Sequence, residues 1–119
     1  MQSYQDLKVW HKAHAMVLDI YAATQVFPKE ELYGLTSQIR RSAVSTPANL
    51  AEGCGKNTKS DIANFFQIAL GSLHETEYYL LLARDLSYIR EERFVHLNER
   101  TKEVKAMLIA LIKTVRTSS

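Results

Sequence analysis

The stretch EERFVHLNERTKEVKAMLIALIKTVRT, residues 91–117, decides the fold. In it Phe94, Leu97, Thr101, Val104, Leu108, Leu111 and Val115 recur at alternating spacings of three and four over three heptads. That rhythm places them on one face of an α-helix. It predicts a helix from about Glu91 to Thr117, roughly 40 Å long at ~1.5 Å per residue. Arg90, Arg93, Arg100, Lys102, Lys105, Lys113 and Arg116 are interleaved with acids. Such interleaving marks a solvated face laced with local ion pairs.

Working towards the N-terminus, the same period returns three times. A helix of similar length is expected from about Asp61 to Leu86, and Thr58-x-x-Asp61 resembles a capping box at its start. Before it, Leu35, Ile39, Ala43, Pro47, Leu50 and Cys54 lie roughly on one face of a helix from about Leu35 to Glu52. Pro47 should kink that helix or remove one backbone bond, and Gly53 and Gly55 form the stop. In the first segment the stripe is Leu7, Trp10, His14, Val17, Tyr21 and Thr24, and Phe27-Pro28-Lys29 ends it. Short connections between long helices favour antiparallel neighbours. The expected fold is therefore all-α: an antiparallel up-down-up-down four-helix bundle, one domain over residues 1–119.

Composition agrees. Four Gly and two Pro in 119 residues are too few for a disordered or all-β chain. One cysteine, Cys54, excludes an internal disulfide and a Cys-based zinc site. The longest unbroken apolar run, Ala106 to Ile112, falls far short of the ~20 residues that span a bilayer. Asp6, Lys8, His11 and Lys12 stand where a signal peptide would be apolar, so a cytoplasmic protein with no membrane partner is expected. The net charge of +2 does not by itself imply a nucleic-acid partner.

Enzymatic chemistry finds little support. No Glu-x-x-His pair exists, which removes the di-iron bundle class. His11 and His14 form an incomplete metal site, and the position of His14 on the apolar stripe suits a partly buried, hydrogen-bonded histidine better. The Gly55-Lys56 pair lacks the upstream Gly and downstream Ser or Thr of a phosphate-binding loop; Leu50 and Asn57 stand there instead. Cys54 has no base at an indicative spacing, and Glu75 and Glu77 point about 200° apart on a helix. No catalytic residue, metal or cofactor is expected.

Two patterns remain. From Ile62 to His74 thirteen residues pass without Asp, Glu, Lys or Arg, Ser42 to Ala51 is also uncharged, and Met107 to Ile112 is apolar all round. A solvated helix shows charge on its outer face, so burial on a second side is expected, with Phe65, Ile68, Ala69 and Leu73 as a homo-oligomer seam. The alternative is a thick local core with Asn64, Gln67 and Ser72 facing solvent. The second pattern is basic. Residues 40–60 hold Arg40, Arg41, Lys56 and Lys59 against Glu52, whereas residues 61–83 hold Asp61, Glu75 and Glu77 and no cation. The four cations are candidate phosphate contacts for RNA or DNA. The alternative is that Arg40 or Arg41 pairs with Glu75 or Glu77 across the bundle.

Several long motifs resemble a known family. They are Tyr4-Gln5-Asp6-Leu7-Lys8-Val9-Trp10-His11-Lys12-Ala13-His14, the run from Phe27 through Gly34 to Arg41, Ala43 to Gly53, Ala69 to Glu77, and Ala83 to Ile89. Together they resemble the four-helix bundle proteins encoded in intervening sequences of 23S ribosomal RNA genes, over roughly residues 4–115. The resemblance implies a homopentameric ring, and no catalytic residues. A related branch serves diversity-generating retroelements and binds nucleic acid and a reverse transcriptase through basic residues. This chain has Gly53-Cys54-Gly55-Lys56 where members often have Gly-Phe-Gly-Arg, and its net charge is low. It therefore resembles the intervening-sequence group, and no reverse-transcriptase partner is expected. Two functions follow: a nucleic-acid module through Arg40, Arg41, Lys56 and Lys59, or a ring-shaped scaffold that ignores nucleic acid, whose seam Ala69→Glu should split.

Overall fold

In a computed structural model that describes residues 2–118, four α-helices account for most of the chain: α1 (Lys8–Thr24), α2 (Leu35–Cys54), α3 (Lys59–Asp85) and α4 (Glu91–Thr117). Short 3-10 turns at Tyr4–Asp6 and Lys29–Glu31 precede α1 and α2. Each helix packs on its chain neighbours, α4 closes on α1, and α1–α3 and α2–α4 lie diagonally. The result is an antiparallel up-down-up-down bundle measuring 48 × 25 × 20 Å. Among the described residues there is no strand.

The ends of the helices are set by side chains the sequence supplies. Thr58 Oγ1 accepts the Asp61 N–H at 3.1 Å, satisfying one of the orphan donors that open α3. Glu31 does the same for α2 from a distance: its Oε1 accepts the Leu35 N–H at 3.0 Å, and its Oε2 accepts the Tyr88 hydroxyl at 2.8 Å. One carboxylate thus caps a helix and ties the α1–α2 connection to the α3–α4 connection. The two hydrogen bonds, the Leu35 one foremost, hold its pKa below the ordinary carboxylate value. α3 ends in a Schellman motif, Tyr88 N–H to Ala83 C=O and Ser87 N–H to Arg84 C=O, both 2.9 Å. Its left-handed residue is Ser87, φ 63°, where glycine is usual.

The core contains Met16, Ile20, Ile39, Leu50, Phe66, Leu73, Leu80, Leu97, Val104 and Leu108, all under 2% exposed. On α2 the expected face, Leu35 to Cys54, is buried throughout, and the helix continues through Pro47. On α4 the heptad positions are buried except Leu111, whose place is taken by Ile112. A straight helix drifts ~20° per heptad against a 3.5-residue repeat, so the core row moves on by one residue near the C-terminus. On α1 the expected stripe is displaced. The core row is Val9, Ala13, Met16, Ile20 and Ala23. Val17 and Thr24 are also buried, but Trp10 is half-buried, Tyr21 40% exposed and His14 exposed. The expectation of a partly buried, hydrogen-bonded His14 is thereby overturned: its ring stacks on Trp10 with centroids 5.1 Å apart and planes 6° from parallel.

α2 and α3 meet along small and hydroxylated residues. Ser42 and Thr76 hydroxyls lie 2.8 Å apart inside the bundle, as do Ser45 and Ser72 nearer its surface. At the end of α2, a Cβ on Gly53 would fall 2.8 Å from Phe66 Cε1 and 3.1 Å from Phe65 Cβ. Only glycine leaves room for the Phe65 and Phe66 side chains there.

Candidate interaction faces

The four expected phosphate-contacting residues do not form one patch. Arg40 is a strut between α1 and α2: Nε donates to Thr24 Oγ1 at 2.8 Å, Nη2 to the Tyr21 carbonyl at 3.4 Å, and the guanidinium lies 4.7 Å from the Tyr21 ring centroid. Arg41 reaches across to α3, with Nη2 3.0 Å from Glu75 Oε2 and 3.1 Å from Gln38 Oε1. Glu75 also accepts the Tyr79 hydroxyl at 2.9 Å, and this hydrogen bond raises the Tyr79 pKa. The pairing of Arg41 with Glu75 is thus the one that leaves little positive potential there. Lys56 and Lys59 stand some sixteen residues further along, about 24 Å at helical rise. Lys56 Nζ sits 4.7 Å from the Phe65 ring centroid, and Lys59 Nζ donates to the Ser118 carbonyl.

The expected oligomer seam also divides. Ala69 and Leu73 are 0% exposed and belong to the bundle's own core, so neither faces outward. Phe65 is half-buried beneath Lys56, and Ile68 is 52% exposed. The physical reason is rotation: in a helix uncharged on all sides, the period fixes a core row without identifying which of the remaining rows meets solvent.

What faces outward instead is a neutral surface centred on α2. Val44 is 40% exposed and Ala48 is exposed. On the α3 flank stand Phe65 and Ile68. On the α1 flank stands the row Trp10, His14, Val17, Tyr21 and Thr24, placed towards α2 because Tyr21 and Thr24 both meet Arg40. Leu18, 58% exposed, lies beside it. No charge occurs on α2 between Arg41 and Glu52, nor on α3 between Asp61 and Glu75.

Lys12 and Asp19 of α1 are turned the other way. Lys12 Nζ is 3.4 Å from Glu103, and Asp19 Oδ2 is 3.5 Å from Arg100 and 3.7 Å from His96, all on α4. On the α3–α4 side Lys105 Nζ bonds both Glu77 oxygens at 2.8 and 3.0 Å. Glu75 and Glu77 are both ion-pair partners, as their spacing suggests. The molecule is therefore two-sided, ionic around α4 and neutral over the stretch of α2 between Arg41 and Glu52.

The other candidates are accounted for locally. His11 Nε2 lies 2.7 Å from the Gln5 carbonyl oxygen, and among the described residues no three His, Cys, Asp or Glu side chains are placed to hold a metal ion. Cys54 is the last residue of α2 and is buried, which pushes its thiol pKa up. Among the described residues no helix is long and apolar enough to cross a membrane.

Sequence reasoning missed Val44, Ala48 and the exposed α1 row. The signal was present in the uncharged run Ser42–Ala51, but its outer side could be chosen only once α1 and α3 were seen to flank it.

The comparisons with known proteins agree with the architecture. The family model described as 23S rRNA-intervening sequence protein matches residues 5–110. A crystal structure of a protein with unknown function from the S23 ribosomal protein family, from Bacteroides thetaiotaomicron, is 30% identical. The alignment covers 89% of this chain and 99% of that one, with a TM-score of 0.82. Among curated proteins none matches.

Proposed function

The chain belongs to the 23S rRNA-intervening sequence protein family, and from that premise we propose that it is a non-enzymatic homo-oligomeric interaction module. The observation that carries this reading is the neutral surface of Val44, Ala48, Phe65 and Ile68, flanked by Trp10, Leu18 and Tyr21. Apolar side chains gathered on one side, with the charges directed to the other, suit a surface that a second copy covers. The family resemblance supports five copies in a ring. A ring closes through heterologous contacts, so this surface meets a different part of the neighbouring copy.

The test is the mass of the assembly. Light scattering or native mass spectrometry should give a multiple of 13.6 kDa for the wild type. Val44→Glu and Ile68→Glu, each at an exposed site, should return a folded monomer by circular dichroism. A wild type that stays monomeric at micromolar concentration, or variants with unchanged mass, would sink the reading.

A nucleic-acid role is the second reading. Lys56 and Lys59 favour it, because no carboxylate lies within 4.0 Å of either among the described residues. A ring would repeat the pair around its circumference. Binding of a structured RNA at ~150 mM salt, with an affinity that falls steeply above it and is lost in Lys56→Glu/Lys59→Glu, would establish that role. No binding at low salt would leave the scaffold alone.

A further inference from the structure

The side of the molecule away from α2 carries a groove of different chemistry. It lies between α3 and α4, has a volume of about 430 Å³, and is lined by Leu70, Ile109, Ile112, Lys113 and Arg116 together with Gln67 and Thr117. Leu70 and Ile112 are the edge of the core, 8% and 5% exposed, whereas Ile109 is 50% exposed and apolar. Lys105, which bonds Glu77 of α3, fixes the α3-facing row of α4. By the spacing of three and four, Lys102, Ile109 and Arg116 continue that row. At the end of the groove Lys59 and Arg116 share a hollow with Asn64.

Among the described residues the unpaired charge along this groove is of one sign. Glu77 is held by Lys105, and Asp61 stands in the row of Phe65 and Ile68, which faces α2. Lys59, Lys102, Lys113 and Arg116 have no carboxylate within 4.0 Å among the described residues. An aliphatic floor flanked by cations is complementary to a helix whose apolar face is bordered by acids. We propose that the α3–α4 groove receives an amphipathic, acidic helix of a different protein, with apolar anchors at helical spacing over Leu70, Ile109 and Ile112 and carboxylates meeting Lys113 and Arg116. Nucleic acid fits less well. The groove holds no aromatic ring for a base to stack on, and an aliphatic floor gives a phosphate backbone nothing. A second copy of this chain fits less well too, since its exposed apolar surface is neutral and leaves the cations uncompensated.

The probe is a labelled two-heptad helical peptide with Leu at the anchor positions and Glu elsewhere, beside a second peptide with Lys in place of Glu. Anisotropy titration against the full chain near 150 mM salt should give a Kd on the order of 10 µM for the Glu peptide and tenfold or weaker for the Lys peptide. Ile109→Ser should weaken the Glu peptide about tenfold. Lys113→Glu/Arg116→Glu should abolish its advantage and favour the Lys peptide. Circular dichroism and assembly mass, measured on the same variants, separate this result from unfolding and from loss of the oligomer. Equal binding of the two peptides, or indifference to Ile109→Ser, overturns the proposal. A changed assembly mass in Lys113→Glu/Arg116→Glu overturns it in favour of a contact between copies. A single-stranded RNA oligonucleotide that needs both cations but not Ile109 overturns it in favour of nucleic acid.

Discussion

Ser87 and Glu31 show how much of the bundle's connection chemistry rests on single residues. Ser87 holds the left-handed position of the α3 Schellman motif at φ 63°, and an L side chain there carries a strain of about 1 kcal/mol. Ser87→Gly is expected to raise stability by up to about 1 kcal/mol, read as a higher urea midpoint at unchanged slope. Glu31 acts through its charge. Its pKa is lowered in the folded chain by the Leu35 N–H and then by Tyr88. The native state therefore binds its proton less readily than the unfolded chain. The stabilisation is present above the ordinary carboxylate value and is lost as pH falls through the lowered one. Glu31→Gln should be less stable than the wild type at neutral pH, and the gap between their unfolding midpoints should close as pH falls from the ordinary carboxylate value through the lowered one. Neither role was legible in the sequence. Ser87 has no glycine signal, and Glu31 lies four residues before the N–H it caps, in a turn whose geometry no local rule supplies.

At the scale of the elements, the α2–α3 contact is set by which residues are small. A methyl group on Gly53 would meet the fully buried Phe66 ring at 2.8 and 2.9 Å, and that ring has nowhere to go. Gly53→Ala should cost about 1–3 kcal/mol by overpacking. Gly71 is the converse, exposed in the middle of α3 with nothing within 4 Å of its Cβ position. Gly71→Ala should stabilise by about 0.5–1 kcal/mol through lost freedom of the unfolded chain. Parallel urea titrations of the two variants should therefore move in opposite directions. Ala69→Glu, chosen from the sequence as a way to split an assembly, should instead remove cooperative unfolding, because it buries an unpaired carboxylate in the core. The helices themselves were legible. The interrupted 3-4 period located α4 at Glu91–Thr117 and the Thr58 cap located α3 to within two residues. The facing of α1 was not, because rows starting at Val9 and at Trp10 are adjacent and both apolar for much of their length.

For the molecule as a whole, the separation of charge from neutral surface follows from which helices are neighbours. Net charge near zero conceals it: ion pairs join α1 to α4 and α3 to α4, and Arg41–Glu75 joins α2 to α3 at one end, while Val44 and Ala48 are left between two uncharged flanks. The sequence carried both halves of this pattern as separate runs. The basic residues stand apart because Arg40 and Lys56 are close in sequence terms but roughly a helix length apart in space. Surface pairs such as Arg41–Glu75 and Lys12–Glu103, with side chains roughly half exposed, contribute at most about 1 kcal/mol each. Replacing Lys12 by Met should therefore shift the unfolding midpoint only slightly and leave the assembly mass unchanged. Val44→Glu, which adds one charge to the neutral side, should do the reverse.

The protein's sole tryptophan stands on that neutral side. Trp10 has Tyr4 at its edge, 5.0 Å between centroids, and the His14 ring against its face. It consequently serves as a built-in optical gauge. In the homo-oligomer proposed above, a neighbour covering the α2 surface should hold indole emission towards the blue, and dilution below the assembly constant should move it to the red. The concentration of half-shift then reads that constant from an unlabelled sample in a cuvette.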